Sequence, residues 1–239
     1  MSLLSATSVT AHYGDFQALF GINFAMAAGE TVAIIGSNGA GKSTFLRALT
    51  GLRPTTGQNI QFDGALIAGL PADAIHKRGL AMVPEGRRLF PSLTVEENLQ
   101  IGAAGGRAGH WTLDAVYDLF PDLRDKRRNG GTELSGGQQQ MVAIGRALMS
   151  NPKLLLCDEI SLGLSPKVIK DIYAAVPRIQ AAGTSLIVVE QDVGQALAVA
   201  DRIYCFMEGR VSLTGTPATV TRAEISQAYF GLNTEGTAA

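Results

Sequence analysis

The sequence predicts an α/β protein with a mainly parallel sheet, and three observations support this fold class. Apolar, β-branched segments alternate with helical patterns over the 239 residues, as they do where helices connect parallel strands. Three of the segments, 32–35, 154–157 and 186–189, are apolar throughout, which is typical of central strands covered on both faces. The hydrophobic content of 46% is that of a globular protein and excludes disordered and fibrous classes.

The individual elements follow from the same patterns in chain order. We predict strands at 7–12, 31–35, 59–62, 80–83, 154–157, 186–189, 203–207 and 211–214. We predict helices at 42–50, 94–101, 113–120, 135–149, 166–181 and 193–200. Pro177 should kink or shorten the helix at 166–181, because proline lacks a backbone N–H donor. Gly209-Arg210 is expected to form the turn of a hairpin.

The domain organisation is suggested by a change of pattern in the middle of the chain. From about 86 to 129 the sequence contains helical patterns and no strong strand. We therefore predict one domain over residues 1–239, with a helical subdomain at about 86–150 inserted into a core of 1–85 and 151–239. The stretches 102–109 and 129–132 contain glycine and are the expected joints.

Charge and cysteine content limit the classes of partner and compartment. Lys and Arg number 20 against 21 Asp and Glu, a net charge of −1, so bulk electrostatic binding to nucleic acid or anionic lipid is not indicated. Cys157 and Cys205 lie in apolar segments and are predicted to be buried free thiols in a reducing compartment. No apolar run reaches the ~18 residues of a transmembrane helix, and we expect a soluble protein. With 17% charged residues and a mean hydropathy of +0.15, part of its surface is expected to be covered by a partner.

A phosphate-binding loop is predicted between the strand at 31–35 and the helix at 42–50. The pattern G-x-x-x-x-G-K-[ST] allows backbone N–H groups to surround phosphate oxygens at the start of a helix, while the lysine reaches the β- and γ-phosphates. The serine that follows can ligate Mg²⁺. The sequence therefore predicts a site for a nucleoside triphosphate, formed by Gly36, Ser37, Asn38, Gly39, Ala40, Gly41, Lys42, Ser43 and Thr44.

Two carboxylates follow the apolar strand at 154–157. Asp158 can hold Mg²⁺ through water and so complete the site begun by Ser43. Glu159 can act as the general base for the attacking water. The alternative is that an Asp-Glu pair only begins a turn.

A second glycine pair precedes the helix predicted at 135–149, in the pentapeptide Leu134-Ser135-Gly136-Gly137-Gln138. One interpretation is a capping box, with Ser135 at the N-cap and Gln138 three residues later. The other is a second anion site, because glycines and a hydroxyl at a helix N-terminus again present N–H groups to phosphate.

These three motifs, in this order, resemble the nucleotide-binding subunit of an ABC (ATP-binding cassette) transporter, over about residues 4–231. The resemblance implies a P-loop NTPase (RecA-like) fold with an N-terminal antiparallel β subdomain and a helical subdomain that carries the signature motif. It also implies that two subunits bind two ATP molecules head to tail. The ATP held by the partner would then contact Ser135, Gly136, Gly137 and Gln138. Tyr13 matches the aromatic residue that stacks on adenine, with an exposed tyrosine at a strand end as the alternative.

The segments 83–91 and 93–99 are more specific and resemble the ATPase subunits of branched-chain amino acid importers, particularly the second of their two ATPases. This implies a second ATPase subunit, two membrane permeases and a periplasmic binding protein as partners, at the cytoplasmic face of the inner membrane. Glu85 stands where most ABC ATPases have a glutamine near Mg²⁺ and water, and as a carboxylate it can still ligate Mg²⁺. Gln191 stands where the family has a histidine that contacts the γ-phosphate. We therefore expect a non-identical partner ATPase that carries this histidine.

Other functions remain open at the level of the sequence. Urea and short-amide importers use closely similar ATPases. A soluble ABC ATPase of translation or DNA maintenance is disfavoured by the single cassette, the absence of heptads and the near-neutral charge. An idle scaffold is disfavoured by the presence of Lys42, Ser43, Asp158 and Glu159. Arg87-Arg88 are either a solvated face or lie near the surface that receives the permease helices.

Overall fold

The computed structural model describes residues 2–56, 59–105 and 107–230. The chain divides into two compact units, one formed by Met1–Ala72 with Ile187–Ala239 and the other by Asp73–Leu186. Within the described ranges the strands are β1 (Ser2–Tyr13), β2 (Phe16–Ala27), β3 (Thr31–Ile35), β4 (Thr55–Thr56), β5 (Asn59–Phe62), β6 (Ala65–Leu66), β7 (Leu80–Val83), β8 (Leu154–Asp158), β9 (Ser185–Glu190), β10 (Arg202–Met207) and β11 (Arg210–Gly215).

The helices of the same ranges alternate with the strands. They are α1 (Lys42–Leu49), α2 (Ala72–Lys77), α3 (Val95–Gly102), α4 (Leu113–Leu119), α5 (Asp122–Asp125), α6 (Gly136–Leu148), α7 (Pro166–Ala174), α8 (Val176–Ala181), α9 (Val193–Val199) and α10 (Arg222–Phe230), with a 3-10 turn at Gly131–Glu133. In the part of the chain that the structure describes, no helix is both long and apolar enough to cross a membrane.

The first unit contains an antiparallel sheet in the order β2-β1-β5-β6, with β4 also paired to β1. The sequence predictions missed β2, and the reason is a bulge. Leu19 is buried before Gly21, whereas Ile22 and Phe24 are buried after it, so the alternation changes parity. Gly21 has a φ of +76°, which only glycine adopts easily.

The first unit also contains parallel pairing. β3 pairs in parallel with β10, which pairs antiparallel with β11. The helices α9 and α10 cover this part of the sheet, where the core includes Ile35, Ala196, Ile203, Cys205 and Ile225. The hairpin turn is Glu208-Gly209, with φ values of +48° and +71°, so the predicted turn was placed one residue too far along the chain.

The second unit contains β7 and β8, which are parallel, and the helices α3 to α7. The helices α3 and α4 both contact α6 at Gly145. A Cβ added there would lie 2.8 Å from Leu99 Cδ2 of α3 and 2.7 Å from Val116 Cγ1 of α4. Glycine at this point of α6 therefore permits the close approach of two neighbouring helices. Trp111 is 5% exposed and donates its indole N–H to Thr184 Oγ1.

Most sequence predictions of elements agree with the structure. The region 166–181 forms two helices separated by a turn at Ala175, two residues before Pro177, which confirms the predicted interruption. Both cysteines are buried and free, and burial raises the pKa of the Cys205 thiol. The helices α2, α5 and α10 and the short strands β4 and β6 were not predicted. The insertion of 86–150 into a core of 1–85 and 151–239 stays a prediction.

Candidate functional site

The predicted phosphate loop connects β3 to α1 in the first unit. Gly36, Gly39 and Gly41 have φ values of +154°, +82° and +97°. A Cβ at Gly36 would lie 2.3 Å from Phe206 O, and one at Gly41 would lie 2.9 Å from Leu19 Cδ2. The loop therefore needs glycine at these two positions for both conformation and space.

The hairpin between β10 and β11 braces this loop. The backbone N–H of Gly209 donates to Ala40 O at 3.0 Å, and that of Phe20 donates to Gly209 O at 2.9 Å. A Cβ at Gly209 would lie 2.3 Å from Ala18 O. Sequence reasoning missed this brace, although the glycine of the predicted hairpin was a signal for a close backbone approach.

Lys42 points back over the loop. Its side chain is almost fully buried, at 4% exposure, and Nζ donates to Gly36 O at 2.7 Å and to Ser37 O at 3.1 Å. The helix α1 begins here without a side-chain cap and without an acidic residue in its first turn. A buried cation, glycines that permit close backbone approach and an uncapped helix start together fit a chain of phosphates.

Tyr13 ends β1 and is 39% exposed. Its hydroxyl is 3.4 Å from Thr44 Oγ1 and accepts a hydrogen bond from Arg47 Nη1 at 3.4 Å. The hydrogen bond with Thr44 lowers the pKa of Tyr13. One face of the ring is covered by the guanidinium of Arg53, 3.8 Å from the ring centroid. The contact with α1 places Tyr13 beside the phosphate loop, and no sequence pattern pointed to Arg53.

The acidic strand end lies in the second unit. Asp158 is the last residue of β8 and is 1% exposed. Glu159 has a φ of +49°, which is an unfavourable backbone conformation for a residue with a side chain. Strained residues of this kind concentrate at functional sites.

The signature pentapeptide begins α6, also in the second unit. Ser135 Oγ accepts from the backbone N–H of Gln138 at 3.3 Å, and Gln138 Oε1 accepts from that of Ser135 at 3.1 Å. The predicted capping box is therefore confirmed. Gly137 is buried, and a Cβ there would lie 2.4 Å from Val168 Cγ1 of α7. The capping box does not exclude an anion site, because Ser135 is exposed at the end of the helix.

The segment that follows β7 carries Glu85, which is exposed. The later part of this segment is held by Asn98 of α3, whose side chain is completely buried. Asn98 Oδ1 accepts from the backbone N–H of Phe90 at 2.9 Å, and Nδ2 donates to the carbonyls of Phe90, Leu93 and Thr94 at 3.1, 3.2 and 3.0 Å. The sequence predictions did not assign this anchoring role, although an asparagine on the apolar face of a predicted helix was a signal for it.

Gln191 directly follows β9 in the first unit. It lines a cavity of about 390 Å³ together with residues of α9 and α10, among them Leu197, Arg222, Ile225 and Tyr229. The cavity wall is more apolar than polar, and Gln191 and Arg222 are among its polar residues.

The profile of the ABC transporter family matches residues 19–161. The chain is 42% identical to the high-affinity branched-chain amino acid transport ATP-binding protein BraG of Pseudomonas aeruginosa, over 96% of this chain and 100% of that protein. The chain belongs to the ABC transporter family. It is also 34% identical to the probable branched-chain amino acid transport ATP-binding protein LivF of Archaeoglobus fulgidus, over 90% of this chain and 92% of that protein.

Solved structures of ABC cassettes share the fold of this family member. A dimeric, post-hydrolysis ATP-binding cassette bound to ADP and Pi superposes with a TM-score of 0.79 at 27% identity, over 90% of this chain and 98% of that one. The predicted family, the P-loop fold with its β and helical parts, and the class of ATP-hydrolysing cassette are thereby confirmed. The predicted roles of single residues stay predictions.

Proposed function

We propose that this protein is the ATP-hydrolysing, energy-coupling subunit of an importer for branched-chain amino acids. The observation that carries the proposal is the 42% identity to BraG over the full length of that protein. The conformation of the phosphate loop independently supports the ATP-binding part of the proposal, because Gly36 and Gly41 leave no room for a side chain.

The first unit binds the triphosphate in this proposal. The ammonium of Lys42 exchanges its hydrogen bonds with Gly36 O and Ser37 O for bonds to β- and γ-phosphate oxygens. The N–H groups from Gly39 to Thr44 surround the phosphates, and Tyr13 stacks on the adenine. Ser37, Asn38 and Ala40 complete the loop.

The hydroxyl of Ser43 and the carboxylates of Glu85 and Asp158 are the proposed Mg²⁺ ligands. Oxygen donors of this kind, with water and phosphate oxygens, suit the octahedral preference of Mg²⁺. When bound, the ion neutralises charge on the β- and γ-phosphates. Glu159 accepts a proton from the attacking water as general base.

The protein acts as half of a head-to-tail dimer in this proposal. Ser135, Gly136, Gly137 and Gln138 contact the ATP that the opposing subunit holds. Gln191 donates an amide hydrogen bond to the γ-phosphate but cannot become cationic as a histidine can. A non-identical ATPase subunit with the usual histidine is therefore the proposed partner.

Two permeases and a periplasmic binding protein complete the proposed importer, at the cytoplasmic face of the inner membrane. Binding of ATP closes the dimer, and hydrolysis with release of phosphate reopens it. The segment that carries Glu85 and the helical insert transmit this cycle to the permeases. Nucleic acid has no role in it.

Substitution of Glu159 by Gln tests the chemical part of the proposal. In the assembled transporter, Glu159→Gln should lower ATP turnover about 100-fold or more while ATP binding persists, because a general base contributes about 10²–10⁴-fold. Glu208→Gln is the matched control, since Glu208 also has a left-handed backbone conformation, with φ +48° against +49°. Unchanged turnover in Glu159→Gln would show that Glu159 is not the base.

Reconstitution in vesicles tests the substrate. Branched-chain amino acids, added with the binding protein, should stimulate ATP hydrolysis and accumulate in the vesicles. Stimulation by urea or short amides alone would reject the proposed substrate. Full transporter-like turnover by the purified chain alone would reject the need for a non-identical partner.

A further inference from the structure

Arg87 connects the segment that carries Glu85 with the signature end of α6. The guanidinium packs against the first residue of the helix, with Nη2 3.2 Å and Nη1 3.3 Å from the position of a Cβ on Gly136. Nη1 also donates to Gln139 Oε1 at 3.2 Å. The side chain of Arg87 therefore lies on the first turn of α6.

The contact with Gln139 extends to the residues around Ser135. Gln139 Nε2 donates to Leu134 O at 3.1 Å, and the backbone N–H of Gln139 donates to Ser135 O at 2.9 Å. A displacement of Arg87 would therefore move Gln139, and with it the carbonyl groups of Leu134 and Ser135 to which Gln139 donates.

The backbone of Arg87 is held by the same helix. Arg146, near the end of α6, donates from Nη2 to Arg87 O at 3.1 Å. Arg146 also lies over the ring of Phe90, with 5.4 Å from the guanidinium carbon to the ring centroid. The segment is thus attached to α6 at both its backbone and its side chain.

Arg87 keeps these contacts in an unfavourable backbone conformation. Its φ is +65°, and that of the next residue, Arg88, is +48°. Two consecutive left-handed residues with side chains are disfavoured unless their surroundings hold them. Arg88 is exposed, and within the described residues its guanidinium has no hydrogen bond, ion pair or ring contact. The two arginines therefore differ in role: Arg88 is the solvated one, and Arg87 is built into the end of α6.

We propose that Arg87 is a positioning residue that transmits movements of the Glu85 segment to the signature end of α6, and so sets the position of Ser135 and Gly136 toward the ATP of the opposing subunit. The inference rests on the proposed function. Its consequence is a division of labour along the chain. Arg87 does not contribute to ATP binding at the phosphate loop of the same chain. It determines how fast the assembled dimer hydrolyses ATP.

Arg87→Ala and Arg88→Ala, made in the full chain and assembled into the transporter, test the inference. Arg87→Ala should lower kcat for ATP about fivefold or more, with KM within about twofold of the wild type. Binding of a fluorescent ATP analogue to the full chain should be unchanged. Arg88→Ala should keep kcat within about twofold. An unchanged kcat in Arg87→Ala, an equal loss in Arg88→Ala, or a loss of analogue binding in Arg87→Ala would each overturn the inference.

Two further variants test the contact itself, and they remain informative if Arg87→Ala does not fold. Arg87→Lys should recover at least about half of the turnover, because an ammonium can still donate to Gln139 Oε1 although it lacks the planar guanidinium. Gln139→Ala should lower kcat, and adding Arg87→Ala to it should cost less than about a further twofold, since both changes break one interaction. Additive losses would show that Arg87 acts by another route.

The wild-type transporter separates this inference from the proposed function. If the wild type hydrolyses no ATP, the proposed function is wrong. If the wild type hydrolyses ATP and Arg87→Ala equals it, the proposed function stands and only the role of Arg87 is rejected.

Discussion

The phosphate loop and the signature end of α6 both place glycines at the start of a helix, but they are built differently. At the phosphate loop, the glycines have positive φ, and the nearest atom to an added Cβ at Gly36 is the backbone oxygen of Phe206. At the signature end, the atoms nearest to a Cβ on Gly136 or Gly137 belong to the side chains of Arg87 and Val168.

In the proposed function, this difference corresponds to two kinds of phosphate contact. A backbone wall at Gly36 and a buried lysine preform the phosphate loop within one unit of the chain. The signature end is a capped helix with an exposed serine, and the neighbour of its first residue is the guanidinium of Arg87, the end of a flexible side chain. Changes in the loop should therefore alter what this chain binds, whereas changes at the signature end should alter how fast an assembly works.

Lys42→Ala should have the largest effect and breaks the phosphate loop. Loss of hydrogen bonds between the ammonium and phosphate, each worth about 1.5–3 kcal/mol, should weaken ATP binding at least about 100-fold. Calorimetric titration of the full chain with ATP measures this. Lys77→Ala is the matched control, because Lys77 is an exposed lysine that pairs with Asp73 one turn earlier on the same helix face. Intact ATP binding in Lys42→Ala would contradict the role of the loop.

The same two regions show what could be predicted from the sequence. The phosphate loop, the carboxylates after β8 and the capping box of Ser135 were found because their residues are neighbours in the chain. The brace of the loop was missed because Ala18 and Gly209 are far apart in sequence and meet only in the fold. β2 was missed because the bulge at Gly21 breaks its alternation.

Charge patterns were the least informative part of the sequence. Arg87 and Arg88 are identical neighbours in the sequence. Only the structure shows that Arg87 contacts the start of α6 and that Arg88 is exposed. Arg53 belongs to no motif, yet its guanidinium covers one face of Tyr13. The contacts of long side chains depend on tertiary geometry, which cannot be read from hydrophobic periodicity or motif spacing in the sequence.

Gly36→Ala and Gly136→Ala should differ in their effect on the free energy of unfolding. Gly36→Ala should lower the free energy of unfolding by about 2–4 kcal/mol, because a Cβ would meet a backbone oxygen in a left-handed loop. Gly136→Ala should change it by less than about 1 kcal/mol, since alanine favours the helix and a guanidinium can move. Urea denaturation of the full chain measures both.

Gly39→Ala separates the two causes in this comparison. Gly39 has a φ of +82°, but an added Cβ would meet nothing within 4 Å. Gly39→Ala should therefore lower the free energy of unfolding only by the cost of a left-handed backbone conformation for alanine, about 1–2 kcal/mol. If Gly36→Ala and Gly136→Ala differ by less than about 1 kcal/mol, the contrast between backbone walls and movable side chains is wrong.

Ser135→Ala should have a small effect on stability, and this variant separates a structural cap from a functional one. Thr112 caps α4 as Ser135 caps α6, by accepting a backbone N–H bond at 3.2 Å against 3.3 Å. Each alanine substitution should cost about 1 kcal/mol of stability. In the assembled transporter only Ser135→Ala should also lower ATP turnover, by about tenfold, because one phosphate hydrogen bond worth about 1.4 kcal/mol is lost. Equal turnover in the two variants would mean that Ser135 is a helix cap alone, and that the exposed end of α6 does not contact phosphate.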